Sequence, residues 1–377
     1  MRAFPGLASL AAFCTPVLGR SCSRLCVKAR RASTQPPKSY ETPNSSAVRS
    51  LHKSASGGRA PTLKKFMKIE CILCPTDLSP DSDEALRYAI ALSRAYSAEL
   101  ILMHCDVSVD GQETPDADGK ATQAIREALQ KHSGSADLVG LDWRSLIVNC
   151  DDTGAAIVRE AATYGVDLIV MRSRRRPHRA ALLGSTAESV SRMAPCPVLV
   201  MHTDERDWVS GSDTRIELKR VLVPYDFSDY SELALNYALS FAQEYRSELH
   251  LLHVLPPFTA NDSEISSYPL GLQGAYHKAV NRLQKAVPPG AHVLCNIKLA
   301  VSVGQPYREI LNYAENNNID LICLGAHGAG FGMRTLFGSN VDRVLRQAPC
   351  PVLVTRPLKP SMSCVRGIET HVASVAL

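Results

Sequence analysis

The sequence predicts an α/β protein built from two tandem domains, each a doubly wound parallel sheet with helices on both faces. Three observations carry that expectation. The chain has 377 residues, more than one typical domain holds. The stretch "PTDLSPDSDEALRYAIALSRAYSAELILMH" from Pro75 aligns without a gap on "PYDFSDYSELALNYALSFAQEYRSELHLLH" from Pro224, at an offset of 149. Within each copy, short continuous apolar runs alternate with helix-like segments, the pattern of parallel strands buried on both faces.

The repeat resumes at the end of each copy, with "GSTAESVSRMAPCPVLV" from Gly184 and "GSNVDRVLRQAPCPVLV" from Gly338. The chain therefore divides into an N-terminal extension (1–66), a first domain (67–203), a linker (204–218), a second domain (219–357) and a C-terminal tail (358–377). The linker, "DERDWVSGSDTRIE", reads as polar.

The second copy shows the elements in order. "RVLVP", ending at Pro224, is a short β-branched run. Ser231 to Arg246 is helical, with Ala234, Ala238 and Phe241 on one face. "ELHLLHVL" from Glu248 is a strand, and a helix follows around Tyr276 to Ala286. "HVLCNIKLAV" from His292 reads as the third strand. Pro306 to Asn316 is a helix with proline at its start. "DLICLG" is strand four, Val341 to Arg346 is helical, and "PVLVT" is strand five.

Charge is unevenly placed. The first 66 residues hold 12 Lys/Arg and one acid, Glu41, leaving 30 basic and 36 acidic residues behind them. A mildly acidic body lacks the clustered positive charge of a nucleic-acid surface, so no nucleic-acid partner is expected. The basic, Ser-rich start resembles a mitochondrial or plastid transit peptide. It also reads as a disordered extension, or as text upstream of a start at Met67, in which case the location is cytoplasmic. The apolar stretch from Ala3 to Gly19 is interrupted by Pro5 and Pro16, and no run reaches the roughly 18 apolar residues of a membrane span, so no membrane partner is expected. Twelve cysteines are scattered. Cys71 and Cys74 lie within a strand-like run, where alternation sends them to opposite faces and argues against a metal or redox pair.

The candidate site lies where strands one and four end. Glycines at Gly325 and Gly328 let the backbone turn and approach a ligand closely. Gly338-Ser339 then opens a helix, with Ser339 as the expected N-cap and free N–H groups that favour an anion. No G-x-x-x-x-G-K-[ST] motif is present, so no lysine reaches terminal phosphates. Asp226 ends strand one beside this crevice, either accepting hydrogen bonds from a ligand or capping the next helix. In the first copy both motif glycines are replaced, as Arg172 and Arg175 or as Met171 and Arg174, depending on which end is counted. Arg172, Arg174, Arg175, Arg176 and Arg179 form a basic loop, solvated or available to some other anion. His104 and His253 end strand two in each copy and read as structural.

These motifs, P-x-D-x-S, L-x-H, D-L-I-x-x-G, G-x2-G-x9-G-[ST] and A-P-C-P-V-L-V, occur in order, most of them twice. Both copies thereby resemble the universal stress protein A domain over about 275 residues. The resemblance implies a five-stranded parallel sheet in the order 3-2-1-4-5. It implies an ATP site in the second copy; in the ATPase alternative, Mg²⁺ is bound mainly through the phosphates. Pro224, Tyr225 and Asp226 would meet the adenosine end and the Val254 backbone would meet adenine. Gly325, His327 and Gly328 would line ribose and phosphates, and Gly338, Ser339 and Asn340 the phosphates. Tyr225 stands where the family often has threonine. The resemblance further implies pairing through strand five, as an internal pseudo-dimer or a homodimer. A stress-response binding module follows, with a slow Mg-dependent ATPase or a nucleotide-free pairing scaffold as alternatives.

Overall fold

The protein is described from a computed structural model, in which residues 68–106, 117–137, 140–173, 183–202, 206–210, 215–257, 268–327 and 338–356 are described. The N-terminal extension and C-terminal tail lie outside them. The first copy runs β1 (Cys71–Thr76), α1 (Asp83–Tyr96), β2 (Glu99–Asp106), α2 (Ala117–Asp137), β3 (Trp143–Asn149), α3 (Thr153–Thr163), β4 (Leu168–Arg172), α4 (Ser185–Met193) and β5 (Val198–Met201). A two-stranded ribbon follows, β6 (Val209–Ser210) with β7 (Arg215–Ile216). The second copy runs β8 (Arg220–Pro224), α5 (Asp229–Tyr245), β9 (Glu248–Leu255), α6 (Tyr268–Ala286), α7 (Ala291–Leu294), β10 (Ile297–Val303), α8 (Pro306–Asn316), β11 (Leu321–Gly325), α9 (Ser339–Gln347) and β12 (Val352–Thr355).

Ten strands form one sheet, β10-β9-β8-β11-β12-β5-β4-β1-β2-β3. Each half has the order 3-2-1-4-5 and is parallel within itself. The halves join antiparallel through strand five, Leu353 opposite Leu199. Each strand's apolar residues alternate between two core clusters. Cys74 and Ile72 belong to one and Cys71 and Leu73 to the other. The two cysteines of the C-x-x-C therefore do face opposite ways.

The repeated motifs have repeated jobs. Asp167 accepts from the N–H groups of Glu70 and Cys71 at 2.7 and 3.0 Å, and Asp320 does the same for Lys219 and Arg220 at 3.0 and 2.8 Å. The aspartate before strand four thus fixes the start of strand one. Helices α1 and α5 both end on a left-handed residue, Ser97 and Arg246, the usual way of satisfying terminal carbonyls.

Two expectations are corrected. The third strand of the second copy begins at Ile297, not His292. Pro288-Pro289-Gly290 turns the chain with Gly290 at φ +86°, and Ala291–Leu294 coil into the short α7. The linker is more than a polar tether. Trp208, Val209 and Leu218 are buried in the core. The Trp208 ring meets Tyr88 of α1 edge-on at 4.6 Å, and the Tyr88 hydroxyl donates to Asp207 at 2.8 Å. Arg206 donates to the carbonyls of Ala314, Ile319 and Glu315 at the end of α8, at 2.9 to 3.1 Å. The connecting segment is thereby fastened to both copies.

Candidate functional site

Strands β8 and β11 are neighbours, and their following helices leave in opposite senses toward β9 and β12. That is the switch point at which open α/β sheets form a crevice. It brings together Pro224, Tyr225 and Asp226 from one strand end and Gly325 and His327 from the other. Gly328 and the loop to residue 337 lie outside the described residues.

Asp226 is exposed. Its Oδ1 accepts from the Ser228 N–H at 3.1 Å and from the Ser228 hydroxyl. This bridge spans Phe227 and holds it at φ +66°, a region bulky residues rarely enter. Ser228 in turn caps α5, accepting from the Ser231 N–H at 3.2 Å. Asp226 therefore builds the turn, and Ser228 is the cap.

Tyr225 is buried, and burial pushes its phenol up from the ordinary value. Its carbonyl accepts from His253 Nδ1 at 2.7 Å. A carbonyl only accepts, so the proton sits on Nδ1. His104 makes the same bond to Thr76 at 3.0 Å. Both histidines thus pin strand two to the residue before the turn aspartate, a structural role. The His253 ring lies 4.6 Å from Phe227, and the Arg282 guanidinium lies 3.6 Å from the Phe227 ring centroid. Phe227 and Arg282 carried no sequence signal.

Leu252 accepts from the Tyr225 N–H at 2.7 Å. By strand alternation, half-buried Val254 turns its own N–H and C=O to the same side. β8 has ended at Pro224 by that point, so this backbone edge faces the crevice.

Gly325 has a local reason to be glycine. A Cβ there would stand 2.7 Å from the backbone carbonyl of Tyr230, in the first turn of α5. The Tyr230 ring meets His327 edge-on at 4.9 Å. Gly325 pairs with Thr355, and Arg356 follows directly. Burial pushes the Arg356 guanidinium below its ordinary value, and its Nε has no hydrogen-bond partner. Sequence reasoning passed over Arg356 because it sits after the last motif.

At the start of α9 the expected N-cap is corrected. Gly338, not Ser339, is the cap; its C=O accepts from the Asp342 N–H at 3.0 Å and no side chain caps the helix. The Gly338 N–H is drawn to Ala326 O at 3.4 Å, which sets the chain one residue earlier. Ser339 and Asn340 are exposed in the first turn.

The first copy differs at the same place. Arg172 lies opposite Met201 as Gly325 lies opposite Thr355, so Arg172 is the counterpart of Gly325. Its side chain is only 10% exposed, donates to Asp81 O, and lies 3.7 Å from the Asp81 carboxylate and 3.6 Å from Glu84. Asp81 is the counterpart of Tyr230 by the offset of 149. The residues matching the first turn of α5 are not helical, and α1 begins one turn later, at Asp83. Arg172 is thus engaged by its own chain. Arg174, Arg175, Arg176 and Arg179 lie outside the described residues. Among the described residues no group of three or more His, Cys, Asp or Glu is placed to hold a metal, and no helix is long and apolar enough to cross a membrane.

The model of the universal stress protein family matches residues 68–202 and again 217–356. A universal stress protein of Mycolicibacterium smegmatis is 27% identical over 304 residues, covering 76% of this chain and 97% of that one. One from Methanocaldococcus jannaschii is 29% identical over 153 residues, 37% of this chain and 94% of the relative. The crystal structure of a universal stress protein from Archaeoglobus fulgidus superposes with a TM-score of 0.53 at 24% identity, covering 77% of this chain and 99% of that chain. The chain belongs to the universal stress protein family, and it carries two of the family's domains in tandem.

Proposed function

We propose that the second copy binds ATP and that the protein acts as a stress-response binding module. The observation that supports this most is the asymmetry at the end of strand four. Gly325 brings no side chain to the end of strand four and lets α5 approach closely at Tyr230, whereas Arg172 at the counterpart position carries a guanidinium held by Asp81 and Glu84. The groups around the second crevice suit an adenine nucleotide. The backbone edge of Val254 offers a donor and an acceptor to adenine, with Pro224 and Tyr225 beside it. The Asp226 carboxylate accepts from ribose hydroxyls. Gly325, His327 and Gly328 line the ribose and phosphates. Gly338, Ser339 and Asn340 present an uncapped helix start to the phosphates. The buried, unpartnered Nε of Arg356 adds a cationic group one residue beyond the strand pair that holds Gly325. Mg²⁺, bound through the phosphates, would neutralise their charge.

Binding rather than turnover is the primary reading, because no lysine or general base is assigned to the phosphate end. Slow Mg-dependent hydrolysis is the enzymatic alternative. A nucleotide-free scaffold is favoured by one observation, the strand-five pairing that joins the copies. Extraction of nucleotide from the purified chain, with calorimetric titration of ATP, separates these. One adenine nucleotide per chain is expected, lost in Asp226→Ala. Two per chain would contradict the asymmetry between the copies, and none at millimolar ATP would leave the scaffold.

A further inference from the structure

The two copies differ a second time where the helix after strand three meets the helix after strand four. Helices α3 and α8 have 11 residues each, and α4 and α9 have 9 each. Counted along them, Gly154, Ala155 and Ser189 of the first copy correspond to Tyr307, Arg308 and Arg343 of the second. The first copy is closed at this point, since a Cβ on Gly154 would stand 2.8 Å from the Ser189 side chain. The second copy makes the same helix-to-helix contact with an aromatic ring and a cation. The Arg343 guanidinium lies 4.6 Å from the Tyr307 ring centroid. Arg308 donates its Nε–H to the Tyr307 hydroxyl at 2.9 Å. Among the described residues neither of these guanidinium groups forms an ion pair, whereas Arg346, also on α9, is paired with Asp342 and Glu188.

This cluster borders the crevice. α8 and α9 both begin at the carboxyl margin of the sheet, and neither start is capped by a side chain. The Gly304 N–H donates to Leu255 O at 2.9 Å, so α8 begins next to the end of β9, where the Val254 edge is assigned to adenine. Tyr307 is the second residue of α8, which puts its ring at the level of that start. Arg343 follows Ser339 by four residues and shares its face of α9, with Cβ atoms about 5–6 Å apart. Side chains of a helix lean back toward its N-terminus, which carries the guanidinium toward the uncapped turn. We propose, resting on the assignment of the crevice to an adenine nucleotide, that Arg343, seated on the Tyr307 ring, binds the terminal phosphate and makes the second copy selective for the triphosphate over the monophosphate. Stacking on the ring fixes the plane of the guanidinium and leaves the N–H groups at its edge for phosphate oxygens. Arg308 tethers the ring. The cluster thereby supplies the cation that a phosphate-loop lysine would otherwise bring. The first copy, which lacks the loop glycines, lacks this cation and its aromatic seat as well.

Calorimetric titration of the full chain with ATP and, separately, with AMP tests this. The wild-type chain should bind ATP at least about tenfold more tightly than AMP. Arg343→Gln should lower ATP affinity about tenfold and leave AMP affinity unchanged, so that the ratio collapses. Tyr307→Leu, which removes the ring but no charge, should act in the same direction, and Tyr307→Phe, which keeps the ring, should retain the preference. Asp226→Ala, by contrast, should remove binding of both nucleotides. An unaltered ratio in Arg343→Gln would overturn the selectivity and leave the nucleotide site standing. Equal wild-type affinities for ATP and AMP would do the same without recourse to any variant. Failure of the wild-type chain to bind either nucleotide would overturn the selectivity and the nucleotide site together. Arg343 is exposed, so its replacement should leave the thermal unfolding of the chain unchanged.

Discussion

Replacing Gly325 by alanine tests the reading of the second crevice most directly. The added Cβ would stand 2.7 Å from the carbonyl carbon, carbonyl oxygen and Cβ of Tyr230. Two of these are backbone atoms, so no rotamer relieves the contact. Overpacking of this kind costs about 1–3 kcal/mol. The first copy shows how the strain would be released. With Arg172 at this position, α1 starts at Asp83 and the preceding turn is not helical. That outcome overrides a local preference, since Pro80 would suit the first helical position and Ser79 the cap. In Gly325→Ala the first turn of α5 should open likewise, with loss of the Ser228 cap, itself worth about 1 kcal/mol. The amides of Leu233, Ala234 and Leu235 bond back to Asp229, Tyr230 and Ser231 in an intact helix. Their hydrogen exchange should quicken, and ATP affinity should fall about tenfold for each 1.4 kcal/mol of displaced geometry. Arg172→Gly is the reciprocal change, and should lengthen α1 by protecting amides after Pro80. If Gly325→Ala kept wild-type stability, protection and nucleotide affinity, the close approach of β11 and α5 would not be what positions the site.

Two further outcomes follow from the packing. Trp208→Ala removes an indole that is 2% exposed, and truncations of this size cost about 3–5 kcal/mol. Denaturant unfolding followed by circular dichroism should show it, and a cost under about 1 kcal/mol would mean the connecting segment is not part of the core. His250 is 1% exposed, bonded through Nδ1 to the Tyr313 hydroxyl at 2.9 Å, and burial depresses its pKa to about 4. The unfolded chain takes up this proton near pH 6.5, so stability falls as pH drops from about 6.5 toward 4, by about 3 kcal/mol in total. Glu248, held below the ordinary carboxylate range with Lys298 and His250 beside it, adds loss in the same direction at lower pH. His250→Asn should flatten the upper part of that slope. An unchanged slope would show that His250 is not the titrating group.

Much of this architecture is legible in the sequence because its causes are local. Glu248–Leu255 and Pro306–Asn316 read to the residue. The first is a leucine-rich apolar run broken only by His250 and His253, and the second opens on proline. The segment from His292 misleads for an equally local reason. Val293 and Leu294 look like the start of the strand that follows, yet Val293 is 69% exposed. A Pro-Pro-Gly turn decides the matter where apolar content does not. The cap of α9 is not legible, because the choice of Gly338 over Ser339 depends on Ala326 O across the loop. Nor are the left-handed Leu78 and Phe227, whose own preferences point elsewhere. Their conformation is imposed by Asp77 and Asp226 bridging over them to the next serine. Gly325 is conspicuous in the sequence, but the identity of its obstructing neighbour, Tyr230, exists only in the fold.

The two copies diverge at their crevices while sharing a frame. Asp167 and Asp320 fix strand one, and His104 and His253 fix the turn that follows it. With those anchors in place, the residues at the carboxyl ends of the strands are free to differ without altering register. The first copy accordingly tolerates an arginine where the second needs a glycine. It still cannot be dispensable, because β5 covers the apolar edge that β12 would otherwise expose. Because β5 and β12 run antiparallel, the carboxyl ends of the two halves lie on opposite margins of the ten-stranded sheet. The crevices of the two copies therefore open in opposite directions, separated by the strand-five seam, and an influence between them has to pass through that seam. Arg346 of α9, bonded to Asp342 at 2.7 Å and to Glu188 of α4 at 3.4 Å, crosses it on the helical face.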